Sequence, residues 1–231
     1  MVSSVLRSLG TAGSALVLLT GCTAEPDQAD AEATNVAVEN ESDTATPRAL
    51  SLADGTDVCF DAVEERLGSD VKIAELTTDI SLGSEIEARD TEPAGTVTNC
   101  TVQYQDPSDP RKLLALSMAA TPGQFGEPMP VEISVTGDAA SFNLEDMLIP
   151  LGEVNASGLN QTLSSLEPKV AERFEPYGWE YIRFTAPDAF NDRHVFRVGV
   201  KGRLKTNDVQ DDGQIVIAAD GSTIIQDRLT S

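Results

Sequence analysis

Histidine is almost missing from this chain: there is one, His194, in 231 residues. No Cys-x-x-Cys or His-Glu-x-x-His spacing occurs, which argues against zinc and thiol-redox sites. There is no Gly-x-Ser-x-Gly elbow and no phosphate-cradling glycine loop. Ser165 and Lys169 stand one residue too far apart for a Ser-x-x-Lys nucleophile. Basic residues are scarce too: 16 Lys and Arg face 38 Asp and Glu, a formal net charge of -22. Such a surface repels nucleic acid and disfavours flat docking onto anionic lipid. Aromatic residues make up only 5%, yet the hydrophobic share of 40% is enough for a core. The apolar segment from Leu9 to Leu19 is broken by Gly10, Thr11, Gly13 and Ser14. It is too short to span a bilayer, which needs roughly 20 mainly apolar residues.

What is present at the N-terminus is a leader. Arg7 and the free amino group precede the short apolar run, as in a signal peptide. The run ends at Leu19-Thr20-Gly21-Cys22, and an acidic stretch follows. This block resembles the bacterial lipobox, Leu-x-Gly/Ala-Cys. The resemblance implies that the Cys22 thiol carries a diacylglycerol and that cleavage makes Cys22 the first residue of the mature chain. Two acyl chains give a stable membrane anchor without a spanning helix. Lipidation of Cys22 leaves Cys59 and Cys100 as an even pair, which outside the cytoplasm reads as a disulfide. Thr23, rather than Asp, follows the cysteine, so in a Gram-negative cell the expected address is the outer membrane.

Residues 23–57 hold nine Asp or Glu and one Arg, with few large apolar side chains. Such a composition does not bury enough surface to offset chain entropy, and its charge extends it. The expected organisation is a signal peptide (1–21), a disordered acidic tether (22–50), a helix-plus-strands unit (51–140) and a helix-plus-meander unit (141–231).

In the first unit, Cys59, Val63 and Leu67 recur at helical spacing, with Asp57 placed to cap the start and Gly68 the end. VKIAEL, TVTNCTVQYQ, LLALSMA and PVEISVTG read as strands. Cys100, Val102 and Tyr104 share a core-facing row, and Val131, Ile133 and Val135 alternate with polar residues. A Cys59–Cys100 bridge would add roughly 3–4 kcal/mol on the chain-entropy estimate. In the second unit, Leu159, Leu163, Leu166, Val170, Phe174 and Tyr177 follow a helical period. Pro168, with the capping-box pair Ser164 and Glu167, predicts a kink or a fresh helix start. Four strands follow, separated by NDVQDDG and ADG turns.

The fold class expected is α+β, with helices packed on curled antiparallel sheets, either as two helix-plus-meander units or as one half-barrel. The outline resembles extracytoplasmic domains in which a helix lies across a curled meander, the cystatin-like and PepSY-like folds. No motif narrows it to a family.

One candidate site stands above background. In RHVFRVGVKGRLK, Phe196, Val198, Val200 and Leu204 fall on one side of a strand, and Arg197, Lys201, Arg203 and Lys205 on the other. With Arg193 they form a positive ridge on an acidic protein, a candidate anion or partner site. The competing reading is pairing with the chain's own acids, such as Asp211, Asp227 or Glu180. The stretch from Asp208 places Asp212 and Gly213 as a calcium loop would, but Gln210 and Ala219 stand where ligands are needed. It reads as a hairpin turn. No metal or cofactor is expected. His194, alone at a strand start, reads as an edge residue.

These features point to a lipid-anchored envelope protein whose folded part is a non-catalytic binding or scaffold module. Its expected partners are the membrane, through the anchor, and an envelope protein or amphiphilic ligand, but not nucleic acid. The alternative is a carrier of a lipid or glycolipid, resembling bacterial envelope lipoproteins in which a half-barrel sheet encloses acyl chains.

Overall fold

The computed structural model describes residues 49–118, 124–135, 139–188 and 191–229. Cys22, the expected leader and nearly all of the expected tether lie outside them.

The elements run α1 (Val58–Leu67), β1 (Lys72–Ile80), β2 (Val97–Gln105), β3 (Leu113–Ser117), β4 (Met129–Val131), β5 (Ile149–Pro150), α2 (Ala156–Arg173), β6 (Phe174–Thr185), β7 (Val195–Leu204), β8 (Gln210–Ala218) and β9 (Ile224–Arg228). All nine strands of the described residues join one antiparallel sheet, eight of them in the order β4-β3-β2-β1-β6-β7-β8-β9. The short β5 adds to the start of β1 at Lys72 and Ile73. In each half the first strand lies at the centre and the later ones step outward to an edge. Each half of the chain supplies a helix and a four-strand meander, and the halves meet where β1 pairs with β6, Leu76 opposite Phe184. This is an α+β fold on a curled sheet.

Alternation decides which side chains go inward. On β2, Val97, Cys100, Val102 and Tyr104 are buried while the residues between them are not. On β7, Phe196, Val198 and Val200 are fully buried. Both helices lay their apolar stripes on this inner face: Cys59, Phe60 and Val63 from α1, and Leu159, Leu163 and Val170 from α2, belong to one continuous cluster with the inward strand residues. Phe60 of α1 reaches across to the second half, where its ring sits 6.2 Å from Phe184 and 5.7 Å from Phe196. Cys59 and Cys100 form a disulfide between α1 and β2, with Cα atoms 5.8 Å apart.

Four local expectations are corrected. Asp57 precedes α1 but makes no side-chain cap. Its carboxylate lies back over Gly55, where a Cβ would meet Asp57 Oδ1 at 2.3 Å. The α2 helix runs unbroken through Pro168 and does not restart. Pro168 and Ser164 are both exposed, so the carbonyl deprived of its N–H donor faces water and the loss is small. The helix ends at Arg173, and Phe174 and Tyr177 belong to β6. Finally, of the described residues of PVEISVTG only Pro130 and Val131 are strand, in the three-residue β4; Thr136 and Gly137 lie outside the described residues. Val131 and Ile133 pack elsewhere, as described below.

Candidate functional site

The basic ridge lies on the outer face of the sheet, opposite the helices, and its members meet acids of the same chain. Arg197 Nη2 donates to Asp188 Oδ2 at 2.6 Å. Lys201 Nζ donates to Glu87 Oε2 at 3.1 Å and lies 3.8 Å from Glu180 Oε1. Arg203 donates from Nε to the Glu85 carbonyl at 2.9 Å and from Nη1 to the Asp208 carbonyl at 3.1 Å. Lys205 pairs with Glu175 at 3.4 Å, and Arg193 with its neighbour Asp192 at 2.9 Å. Gln210 adds a bond from Nε2 to the Ile86 carbonyl at 3.0 Å. Lys201 and Arg203 thus moor the long β1–β2 connection to the β7–β8 hairpin. Lys201, and after it Gln210, hold the Glu87 carboxyl below its ordinary value by hydrogen bonding. Of the acids expected to pair with the ridge, Glu180 reaches it. Asp211 and Asp227 instead take Arg173 and Lys169 of α2, clamping that helix to β8 and β9.

A second arrangement on the outer face carries no motif. At Ala74 the β1–β2 register slips, so that Ile73 pairs with Tyr104 and Glu75 with Gln103. The extra residue leaves Ile73 and Leu76 both facing inward and puts Ala74 and Glu75 together on the outer face. Ile73 joins the inner core, and Ala74 joins Leu113 and Leu144 in a separate small cluster, against which Val131, Ile133, Phe142, Met147 and Leu148 pack. The roof of this cluster comes from residues 131–134 and 142–148. Three polar contacts pin the latter segment: Lys72 and Gln105 both donate to the Glu145 carboxylate, at 2.5 and 2.7 Å, and a ring nitrogen of His194 lies 3.1 Å from the Met147 carbonyl. The His194 ring also stacks on Phe184, centroids 5.6 Å apart. Lys72, and then Gln105, lower the Glu145 pKa.

Between roof and sheet lies a cavity of about 360 Å³. Leu113, Ile133, Phe142, Leu144 and Met147 supply its apolar wall, and Glu75, Gln103, Glu132, Thr185 and Asp188 its polar side. No lysine, arginine or histidine is among the residues that line it. Glu75 accepts from Gln103 Nε2 at 3.1 Å and from Thr77 Oγ1 at 3.3 Å. The Thr185 hydroxyl is buried and has no hydrogen-bond partner among the described residues. Sequence reading missed this site; the adjacent apolar pair Ile73-Ala74 inside an otherwise alternating strand is the signal that marks it.

A further hollow of about 520 Å³ lies between residues 82–94 and Pro176 and Tyr177. It is acidic, and its central carboxylate, Asp90, is already occupied by Leu82 N–H at 2.7 Å and Ser81 Oγ at 3.1 Å. Asp211 and Asp212 of the calcium-like stretch lie in β8 within the β7–β8 hairpin. Among the described residues no group of three or more His, Cys, Asp or Glu side chains is placed to hold a metal ion. No described helix is long and apolar enough to cross a membrane. No family model, curated protein or solved structure matches the chain.

Proposed function

We propose that this is a lipid-anchored cell-envelope protein, held outside the cytoplasmic membrane by a diacylglyceryl group on Cys22, whose folded part is a non-catalytic binding or scaffold module. The observation that carries the anchor is the Cys59–Cys100 disulfide. It uses two of the three cysteines, leaving over the one that closes Leu19-Thr20-Gly21-Cys22. A disulfide between strand and helix also suits an oxidising compartment. The acidic stretch after Cys22 then serves as a spacer that lifts the sheet off the membrane.

For the folded part, the distribution of volume favours a module over a lipid carrier. A carrier of acyl chains needs its space on the concave side of the sheet. Here that side is occupied by two helices and by Phe174, Phe184, Phe196 and Ile182, all fully buried. The outer-face cavity over Glu75 is instead sized for a small ligand or a single protruding group.

Intact mass spectrometry of protein from its native host, with membrane fractionation, tests the anchor. The expected product begins at a diacylglyceryl Cys22, and Cys22→Ser moves the protein out of the membrane fraction. An uncleaved leader or an unmodified Cys22 sulfur would overturn the reading. Organic extraction of the native protein tests the module: stoichiometric lipid beyond the anchor would favour a carrier.

A further inference from the structure

We propose that the outer-face cavity binds an amphipathic organic cation, its ammonium group at Glu75 and its apolar body against Leu113, Phe142, Leu144 and Met147. The assignment rests on the reading of the folded part as a binding module and names the ligand class of that module's site.

The argument starts from charge. Glu75 is partly buried on a central strand, and its contacts are an amide and a hydroxyl. Neither brings a positive charge, and no Lys or Arg among the described residues pairs with it. Other acids facing the sheet do find cations: Asp188 has Arg197, Glu87 has Lys201, and Asp79 has Arg183. Taking a carboxylate partly out of water without a counter-ion is costly, and an arriving cation recovers that cost. Of the other charged groups at the cavity, Asp188 already pairs with Arg197, and Glu132 has the same sign as Glu75. Glu132 is exposed at the rim, where it draws a cation inward and repels an anion. The net charge of -22 works in the same direction at longer range.

The apolar body is required by the rest of the lining. Ala74, Leu113 and Leu144 are buried in a cluster separate from the main core, and the cavity beside them holds about 360 Å³. That lies at the small end of the range for ligand sites, roughly 300–1,000 Å³. A hydrated metal ion or a bare ammonium would leave the apolar wall unused. A fatty acid or phospholipid would bring a negative group to Glu75. An organic cation with a short aliphatic or aromatic body satisfies both halves of the cavity. The Thr185 hydroxyl, which lacks a partner among the described residues, is a further polar group on the same wall.

The test is a titration of the full chain with hexylammonium, hexanol and hexanoate, followed by amide and methyl NMR shifts and by calorimetry. Hexylammonium is expected to move the Leu113 and Leu144 methyl signals and to bind about tenfold or more tighter than hexanol, the gain of one charge-assisted contact; hexanoate leaves them unmoved. Glu75→Gln keeps the shape, still accepting from Gln103 while its amide group donates to a reversed Thr77 hydroxyl, and is expected to level the two affinities without changing hexanol binding. Glu132→Lys, on an exposed segment, is expected to weaken hexylammonium alone, and it decides the matter should Glu75→Gln fold poorly. Binding of hexanol or hexanoate as tight as that of hexylammonium overturns the choice of a cation and leaves the cavity as a binding site. Unmoved Leu113 and Leu144 signals with all three probes overturn the site itself, independently of the state of Cys22.

Discussion

On the inner face of the sheet, Phe60, Phe184 and Phe196 meet at ring-centroid distances of 5.1 to 6.2 Å, under two helices and across a disulfide. On the outer face, Thr185, next to Phe184 along β6, and Glu75, opposite it on β1, lie under the roof beside about 360 Å³ of space. The backbone ladder is common to both. The difference lies in what covers each face: a helix presents a continuous apolar stripe that fills the hollow it lies on, whereas a segment of short turns touches the sheet through scattered residues. One face therefore stabilises the fold, and the other is free to hold something else.

Core truncations sharpen this comparison most. Phe184→Ala, at the inner meeting point of α1, β6 and β7, is expected to cost about 3–5 kcal/mol in denaturant unfolding. Leu144→Ala, its counterpart under the outer roof, is expected to cost about 2 kcal/mol, because the roof relaxes into the vacated space more easily than a helix does. Equal losses would mean that the outer cluster is as integral as the inner one. Thr78 provides the next test. It is fully buried opposite Cys100, with a hydroxyl that lacks a partner among the described residues. Thr78→Val keeps the branched shape and removes an unsatisfied group, so it should raise stability by about 1 kcal/mol.

Reversing the charges at Lys201 and Arg203 together probes the outer face through its moorings. The expected result is lost amide protection across residues 82–94 with a smaller fall in Tm than Phe184→Ala produces. Unchanged protection with lost capture of a partner would instead restore the ridge as a binding site. The smallest effect concerns the β8–β9 turn. Hydrogen bonds from Thr223, side chain first and then backbone, and from Ser222 hold the Asp220 pKa down to about 2. Its folded pKa lies below the ordinary carboxylate value, so its contribution is complete above roughly pH 4. It is lost as the pH falls through about 2. An NMR titration should show exchange protection at Ser222 and Thr223 fading over that interval, with little global unfolding, since the group is largely exposed.

Much of the inner face was legible because alternation and helical period report burial directly. The rows of β2 and β7, the stripe of α1 and the four-strand meander after α2 all follow from spacing in the chain. Position within those patterns also placed Cys59 and Cys100 inward. The outer face was less legible. Its apolar residues come from a bulge at Ala74, one end of β3, residues 131–133 and residues 142–148, and no period links them. Val131 and Ile133 alternate as a strand would, yet β4 ends at Val131, and the two side chains pack under the roof. The ridge was visible as a row of charges, but its partners were not. Glu85, Glu87 and Glu175 lie far from it in sequence or across a register shift, and only folding brings them within reach.

Composition and local spacing determined the acidic character, the alternation that gives the sheet an inside, the four-strand meander and the cysteine pair placed to cross-link. These are properties of neighbouring residues, and chain geometry alone transmits them. Tertiary structure decided that two helix-and-meander halves share one sheet through β1 and β6, that the ridge spends its charge on mooring, and that Glu75 is left without a counter-ion beside an apolar hollow. Each of those outcomes depends on residues brought together from distant parts of the chain, where burial and pairing, not local preference, set the free energy.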